Sequence, residues 1–293
     1  MYKTKLIFKQ YKNKRNLNGI NAYEAWHLYH YANILKKYAN LNNLKDSIDK
    51  PRNNLQGDQT KYFIILLLTK ILDKKKIVIT ELGSSLLEII SGCNYFNKFF
   101  AFKVKLNKIL FVGIENSKLF NFLAEKLNYK KNKKIYSSYK DIKKTDIIYD
   151  RAVSSYCFKN ESELIKFYNK SEIVYSNLSL FKKANKASDK NFKLKSYNQY
   201  GYYKIFDIDK IRLLYKHHIY HIYGKKKPNY KEIIYKKRKR IYRIDGFFIF
   251  SKKLIHIKNL KKNIKKKLRY KNYKMKFQFT KIEHLKKNNF YLV

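Results

Sequence analysis

Apolar positions along this chain follow two different spacings. In the first 75 residues they recur at helical intervals: Ala25, Trp26, Tyr29, Ala32, Ile34 and Leu35 predict an N-terminal helix within 22–39. Pro51 and Asn53–Asn54 mark a loop, and Gly57, Asp58, Gln59 and Thr60 offer N-cap chemistry for a second helix over Lys61–Leu72. Beyond residue 75 short apolar runs alternate with helical stretches. Strands are predicted at Ile77–Leu82, Ile109–Glu115, Lys134–Tyr139, Asp146–Asp150 and Glu172–Leu178, with helices at Ser84–Ser91, Ser117–Leu127 and Glu161–Tyr168. A further helix near Ile208–Tyr215 precedes two apolar runs, His218–Tyr223 and Asp245–Phe250, which suit an antiparallel pair around the basic loop Lys225–Arg240. Strands separated by helices of this length imply βαβ units and a parallel sheet.

Composition changes this picture little. The net charge of +47 suggests a polyanionic partner, yet the lysines are spread along the chain and accompany abundant Asn, Ile and Tyr with only 8 Gly and 2 Pro. That joint bias reads as a drift acting on every position, as from an AT-rich genome. Its electrostatic consequence stands whatever its origin: anionic ligands are attracted in a salt-dependent way. Cys93 and Cys157 lack CxxC spacing, so neither a zinc site nor a disulfide framework is expected, and no metal site is predicted. The N-terminus has no apolar leader, and the longest apolar run, Tyr62–Thr69, is far short of the ~20 residues of a membrane span. A cytoplasmic location without a transmembrane segment is the expectation.

Three constellations carry candidate chemistry. The run "ITELGSS" takes a strand into a turn holding Glu81, Gly83, Ser84 and Ser85, where a glycine and helix-start N–H groups let a ligand approach the backbone. Glu115 ends the next strand, the position at which α/β folds hydrogen-bond a ribose, although capping of the following helix by Glu115 and Asn116 is an alternative. "DIIYDRAVSSY" ends a later strand with Asp150 and Arg151, at the carboxyl edge where open sheets bind ligands; a structural ion pair is the alternative. His217, His218 and His221 are candidates for a general base, for pocket lining or for simple core packing. The runs Lys225–Lys227 and Lys236–Arg240, interleaved with Tyr230 and Tyr235, offer phosphate and stacking contacts to RNA, or a solvated loop.

In this chain order the three constellations resemble the class I S-adenosylmethionine-dependent methyltransferases, over roughly 55–250, and among these the sugar O-methyltransferases. The resemblance implies an α/β fold: a Rossmann-like, seven-stranded, mostly parallel sheet with helices on both faces, closed by "HIYHIYG…RIDGFFIF". It implies a methyltransferase-like domain at 61–251 preceded by a helical extension at 1–60, while the lysine-rich sequence of 252–293, with little periodicity, predicts a basic, loosely packed extension. It also implies S-adenosylmethionine as cofactor, held by Glu81, Gly83, Ser84, Ser85, Glu115 and Asp141, the last at the adenine amino group. Asp150 and Arg151 would border the transfer site, with His221 as the base, and the methyl group would pass to an oxygen of a small-molecule or saccharide acceptor. The alternative is a non-catalytic or RNA-directed member of the same fold that binds nucleic acid through its basic surface. Two departures stand out. The turn holds one glycine where the family usually has two or three, and Glu115 follows Glu81 by 34 residues, more than the roughly 20 of a compact unit. The excess falls in Cys93–Asn107, an expected loop or added strand.

Overall fold

A computed structural model describes residues 56–85, 87–99, 104–118, 120, 121, 124, 133–183, 194–198, 201–223, 241–256, 278–281 and 291–292. The predicted helix within 22–39 and the basic loop Lys225–Arg240 lie outside the described residues. The chain enters through α1 (Gln56–Leu72) and continues β1 (Ile77–Leu82), α2 (Glu88–Phe99), β2 (Ile109–Ile114), β3 (Lys133–Tyr136) and β4 (Thr145–Asp150). A four-residue helix α3 (Ser154–Cys157), α4 (Glu161–Tyr168) and the long β5 (Ser171–Lys183) follow. Then come β6 (Leu194–Asn198), β7 (Gly201–Asp207), α5 (Ile208–Leu214), β8 (His218–Tyr223), β9 (Ile241–Ser251), β10 (Gln278–Lys281) and β11 (Tyr291–Leu292).

Across the sheet the strands run β10-β8-β9-β5-β4-β1-β2-β3. Strands β1 to β5 are mutually parallel, while β9 is antiparallel to both β5 and β8. The seven strands from β3 to β8 therefore form the expected mostly parallel sheet, closed by the "HIYHIY" and "DGFFIF" segments. One face stacks Ile79, Phe111, Ile147, Tyr149, Ile173 and Tyr175 against Ile64, Ile65 and Leu68 of α1 and Ile89 of α2. The other packs Val112, Ile148, Val174, Phe248 and Phe250 against Leu164, Ile165 and Phe167 of α4 and Ile208 and Ile211 of α5. Helices thus cover both faces, as strands apolar on both sides require.

Several expectations are corrected. Gly83, Ser85 and Leu87 belong to a turn, and the helix predicted at Ser84–Ser91 begins at Glu88 and runs to Phe99. The segment from Cys93 therefore starts as helix, with Cys93 buried, and supplies the additional spacing between Glu81 and Glu115. The predicted fifth strand extends to Lys183 because it pairs with β9 at eleven consecutive positions, Ile173↔Ser251 to Lys183↔Ile241. Hairpin β6–β7 was not anticipated. The tail also joins the sheet: Gln278–Lys281 pairs with β8 and Tyr291–Leu292 with β9.

Candidate functional site

Parallel strands in register bring their last residues to one level. Leu82 pairs with Ile114 on one side and Asp150 on the other, so the segments after β1, β2 and β4 emerge together at the carboxyl edge. The chain order legible in the sequence becomes a spatial cluster there: Glu81 and Gly83 from β1, Glu115 from β2, Asp150 and Arg151 from β4.

The turn after β1 is tied to β2. Gly83 N–H and Ser84 N–H both donate to the Ile114 carbonyl (2.9 and 3.1 Å), and Leu87 N–H donates to the Ser84 carbonyl (2.7 Å). Gly83 has φ +71°, a region glycine enters without cost. Ser85 (φ 49°) and Leu87 (φ 56°) share it, at about 1–3 kcal/mol each for side chains with a Cβ. Gly113 of β2 lies beneath the turn: a Cβ there would stand 2.6 Å from Ser84 Oγ and 2.8 Å from Leu87 Cδ2.

Glu115 holds the turn from below. Its Oε2 accepts from Ser85 N–H (2.9 Å) and its Oε1 from Ser117 N–H (3.0 Å), while Ser117 Oγ accepts from Phe120 N–H (3.1 Å). One carboxylate therefore serves both the turn and the segment that opens at Ser117, the capping role that the sequence offered as the alternative.

Glu81 differs in kind. It is 1% exposed, and neither carboxylate oxygen has a hydrogen-bond partner. Burial pushes its pKa up to about 7, opposed by the nearby Arg151 and Lys61 cations and by the Ile89 N–H, which lies close without meeting hydrogen-bond geometry. The Oγ atoms of Ser84 and Ser85 are likewise buried without a partner. Four buried polar atoms thus converge on one turn, an arrangement that costs stability unless something else satisfies them.

Asp150 is also fully buried, but satisfied. Oδ1 accepts from Val153 N–H (2.9 Å) and Ser154 N–H (3.1 Å), and Oδ2 accepts from Tyr168 Oη (2.8 Å) and Ser176 Oγ (2.6 Å). Burial raises its pKa, with the Ser154, Ser176 and Tyr168 hydrogen bonds opposing. The sequence placed Asp150 beside a reacting centre; the carboxylate is in fact turned into the protein. Arg151 is half-buried. Asp141 is exposed, in the 3-10 turn Tyr139–Asp141 that follows β3.

His221 pairs with Phe248, which pairs with Ser176, which pairs with Asp150. It therefore shares the level of Asp150 but lies three strands away, roughly 14 Å at the usual strand spacing. Burial lowers its pKa to about 4, so the imidazole is neutral at physiological pH and a weak base. His218 faces the opposite side of β8, and His217 is exposed. Among the described residues no three His, Cys, Asp or Glu side chains group as a metal site would require, and no helix is long and apolar enough to cross a membrane.

Sequence reasoning missed four contributors. Lys61, 2% exposed on α1, brings a cation within electrostatic reach of Glu81; the available signal was a lone lysine opening an apolar run. Val153 packs against Gly83, and Tyr168 with Ser176 anchors Asp150; no local pattern announces either contact.

No family model matches the chain, and no curated protein matches it. Among solved structures, the N-terminal domain of EvdMO1 in the presence of SAH and D-fucose is similar over 66% of this chain and 82% of its own, at 8% identity and a TM-score of 0.43. The bifunctional kinase-methyltransferase WbdD is similar over 71% of this chain and 41% of its own, at 12% identity and a TM-score of 0.40. A precorrin-6y C5,15-methyltransferase from Geobacter metallireducens is similar over 68% and 89%, at 9% identity and a TM-score of 0.34. Likeness at this level carries no argument about activity, which rests on the residues of the chain itself.

Proposed function

We propose that this chain is an S-adenosylmethionine-dependent methyltransferase acting on an oxygen of a small-molecule or saccharide acceptor. The observation that carries the reading is the meeting of a glycine turn after β1 with a carboxylate after β2, joined by the 2.9 Å bond from Ser85 N–H to Glu115. A cofactor with an amino-acid end and a ribose fits this set in kind. The partnerless Glu81 carboxylate and the Ser84 and Ser85 hydroxyls match an ammonium and a carboxylate, and Glu115 matches a diol. The cofactor, when bound, supplies an electrophilic methyl group.

The chain contributes binding and orientation. Gly83 gives the turn its positive φ, Glu115 accepts from the ribose hydroxyls, and Asp141 serves the adenine amino group as the family resemblance implies. Arg151, within electrostatic reach of Glu81, borders the acceptor side, and its cation favours an anionic or polar acceptor there. Glu81, Ser84, Ser85 and Glu115 are each under 4% exposed, so the turn opens as a ligand enters. Much of the rate in such a displacement comes from holding donor and acceptor in line.

Calorimetry with S-adenosylhomocysteine tests the reading. Wild type is expected to bind, and Glu115→Ala, checked for folding by circular dichroism, to bind about tenfold or more weakly through loss of a charged acceptor. Absence of binding by wild type would sink the cofactor assignment. Transfer of label from S-adenosylmethionine to a saccharide panel then tests the acceptor, and label found only on RNA would replace it.

A further inference from the structure

Gly83 is sealed from one side by a residue of another strand's loop. A Cβ built on Gly83 would stand 2.3 Å from Val153 Cγ2, 3.2 Å from Val153 Cβ and 3.3 Å from Val153 Cγ1, so the Val153 side chain lies directly on the bare face of the turn. Val153 is no free-standing loop residue. Its N–H and that of Ser154 both donate to Asp150 Oδ1, and the intervening Ala152 is held at φ +69°, where an alanine does not settle unless its neighbours fix it. Asp150 is fixed in turn by Oδ2, which takes the Tyr168 and Ser176 hydroxyls, while Tyr168 Oη lies 2.7 Å from Ser176 Oγ and 3.2 Å from Ser154 Oγ. Tyr168, Asp150, Ser154 and Ser176 are all buried, so the network is shielded from water.

We infer that Asp150 is a positioning residue for the turn after β1: held by Tyr168 and Ser176, it aims Val153 onto Gly83 and so sets the shape and opening of the turn. The inference rests on the proposed cofactor reading only in what the turn binds; the mechanical link from Asp150 to Gly83 exists without it. It gives the carboxylate at the end of β4 a task that needs no contact with a reacting group. It also accounts for the strained loop 151–153, because relaxing Ala152 would withdraw Val153 from Gly83.

Amide hydrogen exchange tests the link without any ligand. Val153→Ala, which removes both methyl groups facing Gly83, is expected to speed exchange at the Ser84 and Ser85 amides about tenfold while Ile249, remote in β9, stays within about twofold. Asp150→Ala is expected to do the same, and Asp150→Asn, which keeps an oxygen for the Val153 and Ser154 amides, to stay within about threefold of wild type. If Asp150→Ala does not fold, a second pair decides. Gly83→Ala is expected to speed the turn amides, and adding Val153→Ala to restore part of that loss. The positive-φ penalty is present in both variants, so the recovery reads the Val153 contact alone. Unchanged turn amides in Val153→Ala, equal acceleration at Ile249, or no recovery in the double variant would each overturn the inference. S-adenosylhomocysteine titration is read separately: binding by wild type that weakens in Val153→Ala extends the link to ligand affinity. No binding by wild type removes the cofactor reading, and the exchange data still decide the positioning role.

Discussion

A carboxylate without a hydrogen bond is out of place in a protein core, and Glu81 is one. Its protonated form is favoured by burial, with a pKa raised from 4.5 to about 7, so the sign of its pH effect is opposite to that of a salt-bridged acid. Below about pH 4.5 the residue is protonated in both folded and unfolded chains and costs nothing differentially. Between 4.5 and about 7 the unfolded chain releases the proton and the folded chain keeps it, so stability falls as pH rises and levels off above 7. Glu81→Gln removes the titration. Denaturant unfolding at pH 4.5 and 7.5 should show the variant gaining on wild type by up to ~3 kcal/mol across that window. A stability difference independent of pH would mean that Glu81 is ionised and paired in the fold. Asp150 shows the contrast: equally buried, it has four hydrogen bonds opposing the desolvation that Glu81 meets with neighbouring cations and no hydrogen bond.

Tyr168, the last residue of α4, links elements that sequence treats separately: α4 itself, β4 through Asp150, β5 through Ser176, and α3 through Ser154. Tyr168→Phe keeps the ring packed against Phe250 and removes only the hydroxyl, so a loss of about 1–2 kcal/mol is expected by denaturant unfolding. A neutral substitution would show that Ser176 alone satisfies Asp150 Oδ2. Elements bounded by local chemistry were legible in the sequence. The runs Ile77–Leu82, Glu161–Tyr168 and His218–Tyr223 match β1, α4 and β8 residue for residue, because each is an apolar run or stripe between polar or turn-forming neighbours. Elements decided by distant partners were not. Lys182 and Lys183 are strand residues only because β9 lies opposite, and "LKSYN" becomes β6 only by pairing with β7. The start of α2 was misplaced for a related reason: Ser85 and Leu87 sit at positive φ, held by Glu115 and by the turn itself. In the site, chain order was enough to foresee that Glu81, Gly83, Glu115 and Asp150 converge at strand ends. It could not foresee that Asp150 turns inward, since Tyr168 and Ser176 are separated from it by 18 and 26 residues.

At the scale of the whole molecule the sheet and the charge act independently. The sheet gathers its candidate chemistry at the carboxyl edge of β1, β2 and β4, through a few buried contacts that bulk charge does not set. A net charge of +47 over 293 residues instead produces a field that any polyanion feels. A charge arising from drift at every position has no dedicated geometry, so it cannot distinguish a phosphate backbone from a sulfated one. RNA and heparin oligomers of matched charge should therefore bind with similar affinity and the same salt dependence. A contact with 6–10 phosphates loses about 10³–10⁵ in affinity between 50 and 200 mM salt, since each neutralised phosphate releases condensed counterions. Aromatic stacking on bases adds a term that salt does not remove, about 1–3 kcal/mol per base. Titrations of both oligomers across that salt range separate the two cases. Parallel curves mean a field without recognition and leave the turn at Gly83 as the centre of function. An RNA curve that stays high where heparin has been released means recognition of bases, and the acceptor would then be RNA.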